Sequence, residues 1–208
     1  MSIRNNTSGS KESVLKGAGE FKMILKNKTN KYAILTLMVL AGLVSCEREL
    51  GVLAPAPFPT DAEVFIDGFG PSIEPKSFSG TKLDALQTDD TDTYDGSSSI
   101  VITIPGPGDP SGSTWSGGAL VAGAARDLSG YNALTFYAKA NKALTLNTVG
   151  FGNDNEAPNP YVAEIANLPI TTSWMQYTIP IPLAEKLVQE QGMFYYSEGQ
   201  EDGEGATI

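Results

Sequence analysis

The chain has 208 residues, 41% of them hydrophobic, which is enough for one domain with additional segments, and 22 glycines and 13 prolines predict many turns. The formal net charge is −10, but residues 46–208 carry seven basic and 22 acidic side chains, a net of −15 that repels phosphate backbones and argues against nucleic-acid binding. The lack of histidine removes the commonest general base, and a single cysteine excludes a disulfide framework.

Residues 1–45 are predicted to be the signal segment of a bacterial lipoprotein. Three lysines within 26–31 precede an apolar run over 32–44 that is too short to span a bilayer comfortably, an order typical of a secretory signal. The run ends at 43–46 in a sequence that resembles the lipobox. Cys46, the only cysteine, is therefore the predicted site of diacylation. A signal peptide or membrane anchor with an incidental cysteine is the alternative.

Met23 opens a compact signal by itself, which predicts that translation starts there. Residues 46–60 follow as a tether, because Pro55, Pro57 and Pro59 favour an extended backbone. An irregular lead-in packed on the domain is the alternative for this segment. Two acyl chains on Cys46 would hold the protein at the bacterial outer membrane or cell surface, since one chain alone binds only marginally.

The remaining residues, 61–208, are predicted to be one domain of short strands separated by Pro and Gly breaks. Four Asp residues within 89–95 predict a loop, because like charges repel and Asp is a poor strand former. Residues 112–118, with Trp115, are predicted to be a flexible loop, and 184–189 at most a short helix. The predicted strands are 63–67, 82–87 (alternatively a helical turn), 99–104, 119–124, 134–138, 144–151, 161–165, 174–181, 192–197 and 206–208.

Alternating apolar residues over 134–138 and 144–151 predict two central strands, each with one buried face. In the second strand, Leu144 and Leu146 share one face, and Val149 and Phe151 lie on the other. Together the elements predict an all-β, two-sheet antiparallel sandwich of the jelly-roll type. The sequence reaches Ile208 within a predicted strand, so we expect the C-terminal strand to be truncated.

Six segments, taken together, resemble one family: 65–69, 94–100, 127–139, 149–154, 174–181 and 192–196. The family is the galactose-binding-domain-like jelly rolls that serve as carbohydrate-binding modules in surface lipoproteins of Bacteroidetes-type bacteria. The resemblance covers about residues 61–208 and is most specific over 127–139 and 174–181. It implies polysaccharide ligands and, as partners, other glycan-uptake proteins.

The resemblance also implies a structural calcium ion. Ca²⁺ takes six to eight oxygen ligands on irregular loops. The family pattern implies that Asp67 meets the loop around Asp92 and Asp95, joined by an Asp from a strand that would follow Ile208. An acidic loop whose Asp side chains only cap turns is the alternative.

A sugar presents an apolar C–H face and a rim of hydroxyl groups, so its site needs an aromatic ring and amide or carboxylate groups. Trp115 is expected to be exposed because Gly and Ser surround it, whereas Trp174 is expected to be core. Only one of Tyr195 and Tyr196 can face a ligand. For the strand aromatics, burial in the core is the alternative. The candidate ligand-binding residues are Trp115, Tyr137, Phe151, Asn153, Asp154 and Tyr195.

Catalysis within this chain is not expected. It has no activated-serine motif and no phosphate loop, and carboxylate pairs arise by chance in any acidic chain. The leading hypothesis is a non-catalytic, lipid-anchored module that captures a neutral polysaccharide. Two alternatives stay open: a structural or adhesion sandwich without a sugar site, and the N-terminal part of a glycoside hydrolase.

Overall fold

The structure, a computed structural model, describes residues 54–156 and 161–208. Within these residues there are ten strands and a turn of 3₁₀ helix at Ala184–Lys186, and no helix is long and apolar enough to cross a membrane. The predicted signal segment, the Met23 start and Cys46 lie outside the described residues. The strands are β1 Ile73–Ser77, β2 Leu86–Asp89, β3 Ser99–Ile104, β4 Trp115–Arg126, β5 Ala133–Ala138, β6 Leu144–Phe151, β7 Ala163–Ile170, β8 Met175–Pro180, β9 Glu190–Gly199 and β10 Ala206–Thr207.

The strands form two layers, and every strand pair is antiparallel, which confirms the predicted all-β class. One layer is a five-stranded sheet in the order β1-β4-β9-β6-β7. The other contains two smaller sheets, β10-β3-β2 and β5-β8. A hydrophobic cluster with side chains from both layers fills the space between them, including Leu120, Val149 and Tyr196 from the first layer and Ile104 and Ile179 from the second.

The predicted strand at 63–67 is wrong. The chain makes a tight bend there, closed by the Gly70 N–H donating to the Val64 carbonyl at 2.9 Å and by an edge-on contact of the Phe65 and Phe69 rings at 5.3 Å. The first strand is instead β1, whose Pro75 does not fit a central strand. Because β1 lies at the sheet edge and pairs with β4 alone, Pro75 is tolerated in it.

Strand β4 begins at Trp115, so the predicted loop over 112–118 is too long and Trp115 lies on a sheet. Gly117 and Gly118 interrupt the strand pattern in the sequence, so the start of β4 was not predicted. Packing requires Gly118, since a Cβ atom there would lie 2.8 Å from the Lys76 carbonyl oxygen of β1. Strand β7 similarly extends to Ile170 through Pro169, and the predicted 82–87 strand begins later, at Leu86.

Strand β6 does not keep the predicted alternation. Leu144, Leu146, Val149 and Phe151 all pack in the same core cluster, although simple alternation places the first two opposite the last two. The face on which the apolar side chains lie changes at Asn147. Asn147 lies opposite Asn167 of the adjacent strand β7, and the backbone of Asn167 is left-handed, with φ of 55°. A local irregularity of this kind lets both halves of β6 bury their apolar residues.

The lead-in to the domain is fastened to the end of β4. The buried Arg126 guanidinium donates hydrogen bonds to the backbone carbonyls of Asp61, at 2.8 Å, of Glu63, at 3.2 Å, and of Pro71. Pro59 accepts a further bond from the Asp127 N–H at 2.8 Å. Residues 54–60 are exposed and without regular structure, but their end contacts the domain.

We expect Arg126→Met to lower the free energy of unfolding by about 3 kcal/mol, because the change removes a buried charged donor from three backbone carbonyls. Urea denaturation of both chains measures it. Lys76→Met is the matched control, since its ion pair with Glu156 is long, at 3.9 Å, and exposed, so its loss costs at most about 0.5 kcal/mol. Equal losses for the two variants would contradict the fastening role.

Candidate functional site

Trp115 lies on the outer face of the five-stranded sheet, away from the core. It pairs with Gly199 of β9 and its side chain is 46% exposed. A Cβ atom at Gly199 would lie 3.4 Å from the indole ring, so the ring rests against the glycine backbone. One part of the indole is therefore supported by the sheet while the rest is open to solvent. The prediction that Trp115 is exposed is confirmed.

Tyr195 lies on the same outer face, but it is only 4% exposed. Its ring covers Gly150, where a Cβ atom would overlap it, and it packs with Phe78 and the small side chains of β4. Its hydroxyl donates to the Glu164 carboxylate; burial first, and then this bond, raise the pKa of Tyr195. Tyr195 therefore cannot offer a ring face to a sugar, because its ring is covered. It fixes the exposed Glu164 carboxylate instead.

Strand pairing defines which other residues share this face. Ser197 of β9 lies between Tyr195 and Gly199, and it pairs with Thr148 of β6. Four residues along β9 separate Tyr195 from Gly199, a distance of about 13 Å in an extended strand. The outer face thus presents an indole at one end, hydroxyl groups in the middle and a fixed carboxylate at the other end. We define this set, Trp115, Thr148, Glu164, Tyr195 and Ser197, as the Trp115 face.

Tyr137 lies on the other layer and belongs to a second exposed aromatic group. Its ring stacks on Tyr94 with centroids 3.8 Å apart, and the two side chains are 42% and 51% exposed. Trp174 is 6.0 Å from Tyr94 and is half-buried at the surface, so its predicted place in the core is wrong. The Lys139 ammonium lies 5.2 Å from the Trp174 ring centroid and 2.7 Å from an Asp92 carboxylate oxygen.

The other three predicted sugar contacts do not join the Trp115 face. Phe151 is 3% exposed within the core and cannot stack on a ligand. Asn153 and Asp154 follow β6 and accept backbone hydrogen bonds from Asn155, at 2.9 Å, and Glu156, at 2.8 Å. Asn153 lies beside Gly192, which is at the opposite end of β9 from Gly199 and about 23 Å away along an extended strand.

The predicted calcium ligands are held by the protein itself. Asp67 accepts hydrogen bonds from the Ser97 and Ser98 N–H groups at 2.6 and 3.1 Å, and Gly96, with φ of 73°, leaves room for its carboxylate. Asp92 pairs with Lys139, and Asp95 caps its own turn. In the part of the chain that the structure describes, no three Asp, Glu or Cys side chains are grouped to hold a metal ion. Each of the three carboxylates thus has a hydrogen-bond or ion-pair partner within the protein, and calcium binding stays a prediction.

Sequence reasoning missed two buried carboxyl groups on β9. Glu190 accepts hydrogen bonds from the N–H groups of Gln191 and Gly192, at 2.9 and 2.8 Å. Glu198 accepts one from the Asn147 N–H. Burial is the main cause that raises the pKa of both groups, and these backbone donors oppose it. Their signal in the sequence is a Glu at each end of an apolar run.

Residues 63–198 match the model of the family described as carbohydrate binding domain 30. The chain belongs to this carbohydrate-binding family. The matched segment of this family-30 module begins in the bend before β1, ends in β9 and includes every residue of the Trp115 face. No curated protein matches the chain. The resemblance to carbohydrate-binding modules is confirmed at this level, whereas the galactose-binding-like and Bacteroidetes assignments stay predictions.

Folding raises the pKa of the Glu198 carboxyl above its usual value of 4.5. Above that pH the folded chain holds a proton that the unfolded chain has lost, so this group makes the fold less stable as the pH rises. We expect the free energy of unfolding of Glu198→Gln, relative to that of the natural chain, to increase as the pH rises above 4.5. Urea denaturation along a pH series measures it, with the exposed Glu185→Gln as a control for net charge. A constant or falling difference would contradict the expectation.

Proposed function

We propose that this module is a non-catalytic, lipid-anchored surface domain that captures a neutral polysaccharide on the Trp115 face. The observation that carries the proposal is Trp115 itself, an indole that is half exposed and supported from beneath by the backbone of Gly199. Membership of a carbohydrate-binding family supports the class of ligand.

The physical basis of capture is stacking of a sugar ring on a rigid aromatic surface. An indole that already rests on the sheet loses little conformational freedom on binding, so more of the contact energy appears as affinity. The hydroxyl groups of Thr148 and Ser197 and the Glu164 carboxylate then offer hydrogen bonds to the sugar rim. About 13 Å of strand between the two ends of the face favours a chain of sugars over a single ring.

The charge of the chain supports a neutral glycan. Residues 46–208 carry a net charge of −15, and the fixed Glu164 carboxylate lies on the proposed face itself. An anionic polysaccharide would meet repulsion both at a distance and on contact. Neutral glucans, xylans and mannans meet neither.

The carboxyl groups near this face favour binding over hydrolysis. Glycoside hydrolysis needs two carboxyl groups that flank the scissile bond. Glu164 accepts a hydrogen bond from the Tyr195 hydroxyl, and Glu198 is buried with the Asn147 N–H as its partner. The hydrolase alternative predicts release of reducing sugars from β-glucan, xylan or mannan, whereas the proposed function predicts none.

We expect Trp115→Ala to weaken binding to a neutral polysaccharide by about tenfold or more, because truncation of a buried aromatic contact costs about 2 kcal/mol. Affinity electrophoresis against β-glucans, xylans and mannans measures it. The melting temperature should change little, since the indole is half exposed. An equal loss of affinity and stability would mean that Trp115 acts in packing.

Two variants serve as controls for this experiment. Tyr131→Ala removes a ring that is 45% exposed away from the proposed face, and it should leave affinity unchanged. Tyr137→Ala tests the second aromatic group, where Tyr137 stacks on Tyr94. If Tyr137→Ala abolishes retardation and Trp115→Ala does not, the glycan lies on the other layer. No retardation of the natural chain on any glycan would favour the structural or adhesion alternative.

The lipid anchor is a separate part of the proposal and rests on the sequence at 43–46. We expect Cys46→Ser to release the protein from membranes into the soluble fraction, because stable anchoring needs two acyl chains. Membrane fractionation of cells that express each chain measures it. Glycan affinity is the control and should not change. A variant that stays in the membrane fraction would show that the apolar run, rather than Cys46, holds the protein there.

A further inference from the structure

Alternation along β5 and β8 divides their side chains between the core and the outer face of this small sheet. Phe136 and Tyr177 pack against the core cluster, so their neighbours in the two strands point outward. The outward side chains are exposed and form two directly opposite pairs, Tyr137 with Gln176 and Thr135 with Thr178. An aromatic ring, an amide and two hydroxyl groups therefore share one surface.

These four positions lie close enough together to contact one ligand. Opposite residues of an antiparallel pair have Cβ atoms about 5 Å apart, and outward neighbours along one strand are about 7 Å apart. The Gln176 amide can donate and accept hydrogen bonds, and so can the hydroxyl groups of Thr135 and Thr178. A ligand that stacks on the Tyr137 ring therefore meets both donors and acceptors at its edge.

Tyr94 enlarges the aromatic surface and restricts the movement of Tyr137. The planes of the two rings lie within 11° of each other, with their centroids 3.8 Å apart, and both side chains remain exposed. Because each ring limits the rotation of the other, the pair loses little conformational freedom when a ligand stacks on it.

The acidic loop between β2 and β3, which carries Tyr94, is held near both of its ends. Towards β2, the Asp92 carboxylate forms an ion pair with Lys139, at 2.7 Å. Towards β3, the Asp67 carboxylate accepts hydrogen bonds from two consecutive backbone N–H groups of the loop. These contacts fix the loop and thereby position Tyr94 on Tyr137.

We propose that this surface is a second saccharide-binding site, so that the module holds two glycan chains, one on each layer. We call it the Tyr137 face and define it by Tyr94, Thr135, Tyr137, Gln176 and Thr178. The class of ligand rests on the proposed function and on membership of the carbohydrate-binding family. The location rests on the geometry of the β5-β8 sheet and does not depend on the Trp115 face.

The charges around the Tyr137 face favour a neutral sugar over a cationic ligand. Exposed aromatic rings beside carboxylates can also bind an ammonium group. Here the protein supplies that group itself, because the Lys139 ammonium lies 5.2 Å from the Trp174 ring centroid and pairs with Asp92. The five side chains that define the Tyr137 face are all uncharged, which suits the C–H and hydroxyl groups of a neutral sugar.

Two sites on opposite layers have a consequence for capture. The Trp115 face and the Tyr137 face point away from each other across the sandwich, so one short oligosaccharide cannot contact both. Occupation of both faces lets the module link two polysaccharide chains, or bind one long chain at two points with increased avidity.

The test is an NMR titration of the isotope-labelled full chain with hexasaccharides from β-glucan, xylan and mannan. The Gln176 side-chain amide reports on the Tyr137 face, and the Ser197 backbone amide reports on the Trp115 face. We expect both signals to shift until they saturate. Tyr137→Ala should raise the Kd measured at Gln176 about tenfold or more, because the stacking ring is lost, and leave the Kd measured at Ser197 unchanged. Trp115→Ala should do the reverse.

Two further variants complete the experiment. Tyr131→Ala is the matched control, since its ring is 45% exposed and belongs to neither face, and it should leave both dissociation constants unchanged. Gln176→Ala keeps the stacked rings and removes one hydrogen-bonding group. It should weaken binding at the Tyr137 face about fivefold, measured at the Thr178 backbone amide, even if Tyr137→Ala disturbs the loop that carries Tyr94.

The outcomes separate this inference from the proposed function. A Gln176 signal that does not shift while Ser197 saturates would overturn the second site and leave the proposed function intact. A Gln176 shift that disappears in Trp115→Ala would also overturn it, because one ligand on the Trp115 face then causes both changes. A shift at Gln176 alone would contradict capture on the Trp115 face and the presence of two sites, and no shift at either residue would contradict both proposals.

Discussion

Tyr196 determines which side chains of the central strand β9 point into the core and which point to the outer face of the five-stranded sheet. Its ring is fully buried between the layers, and its hydroxyl lies 2.8 Å from the Ser116 hydroxyl of β4. Because side chains alternate along a strand, this burial directs Tyr195, Ser197 and Gly199 outward. A slip of β9 by one residue would bury the polar face and expose the ring, so the large apolar side chain and its hydrogen bond fix the register.

The elements that sequence reasoning placed well are the ones with clean alternation or clear breaks. Residues 99–104 form β3 as predicted, and β5, β8 and β10 begin or end within one residue of their predicted limits. β1, β4 and β7 were missed in whole or part because Pro75, Pro169 and paired glycines contradict local strand propensity. Their places depend on the sheet edge and on close backbone approach, which are tertiary facts that no local window contains.

The sequence predicted an exposed aromatic residue as the centre of the candidate site, but not which other residues share its face. The prediction of an exposed indole is confirmed, although Trp115 lies on strand β4 and not in the predicted loop. The alternation of apolar residues could not show which aromatic side chains are buried. The irregularity near Asn147 reverses the alternation in β6 and directs Phe151 into the core. Tyr195 shows a second limit of prediction from sequence. Its outward direction was predictable, but its burial depends on Phe78, a residue far away in the sequence that packs against it.

The Arg126 fastening has a mechanical consequence. Tension applied from the N-terminal side reaches the domain at Pro59, whose carbonyl bonds to Asp127, and then at the carbonyls of Asp61 and Glu63 held by Arg126. These hydrogen bonds all lie at the end of β4, which is the second strand of the five-stranded sheet. The applied force is therefore borne by the inner strand β4, and the edge strand β1 need not separate from the sheet first.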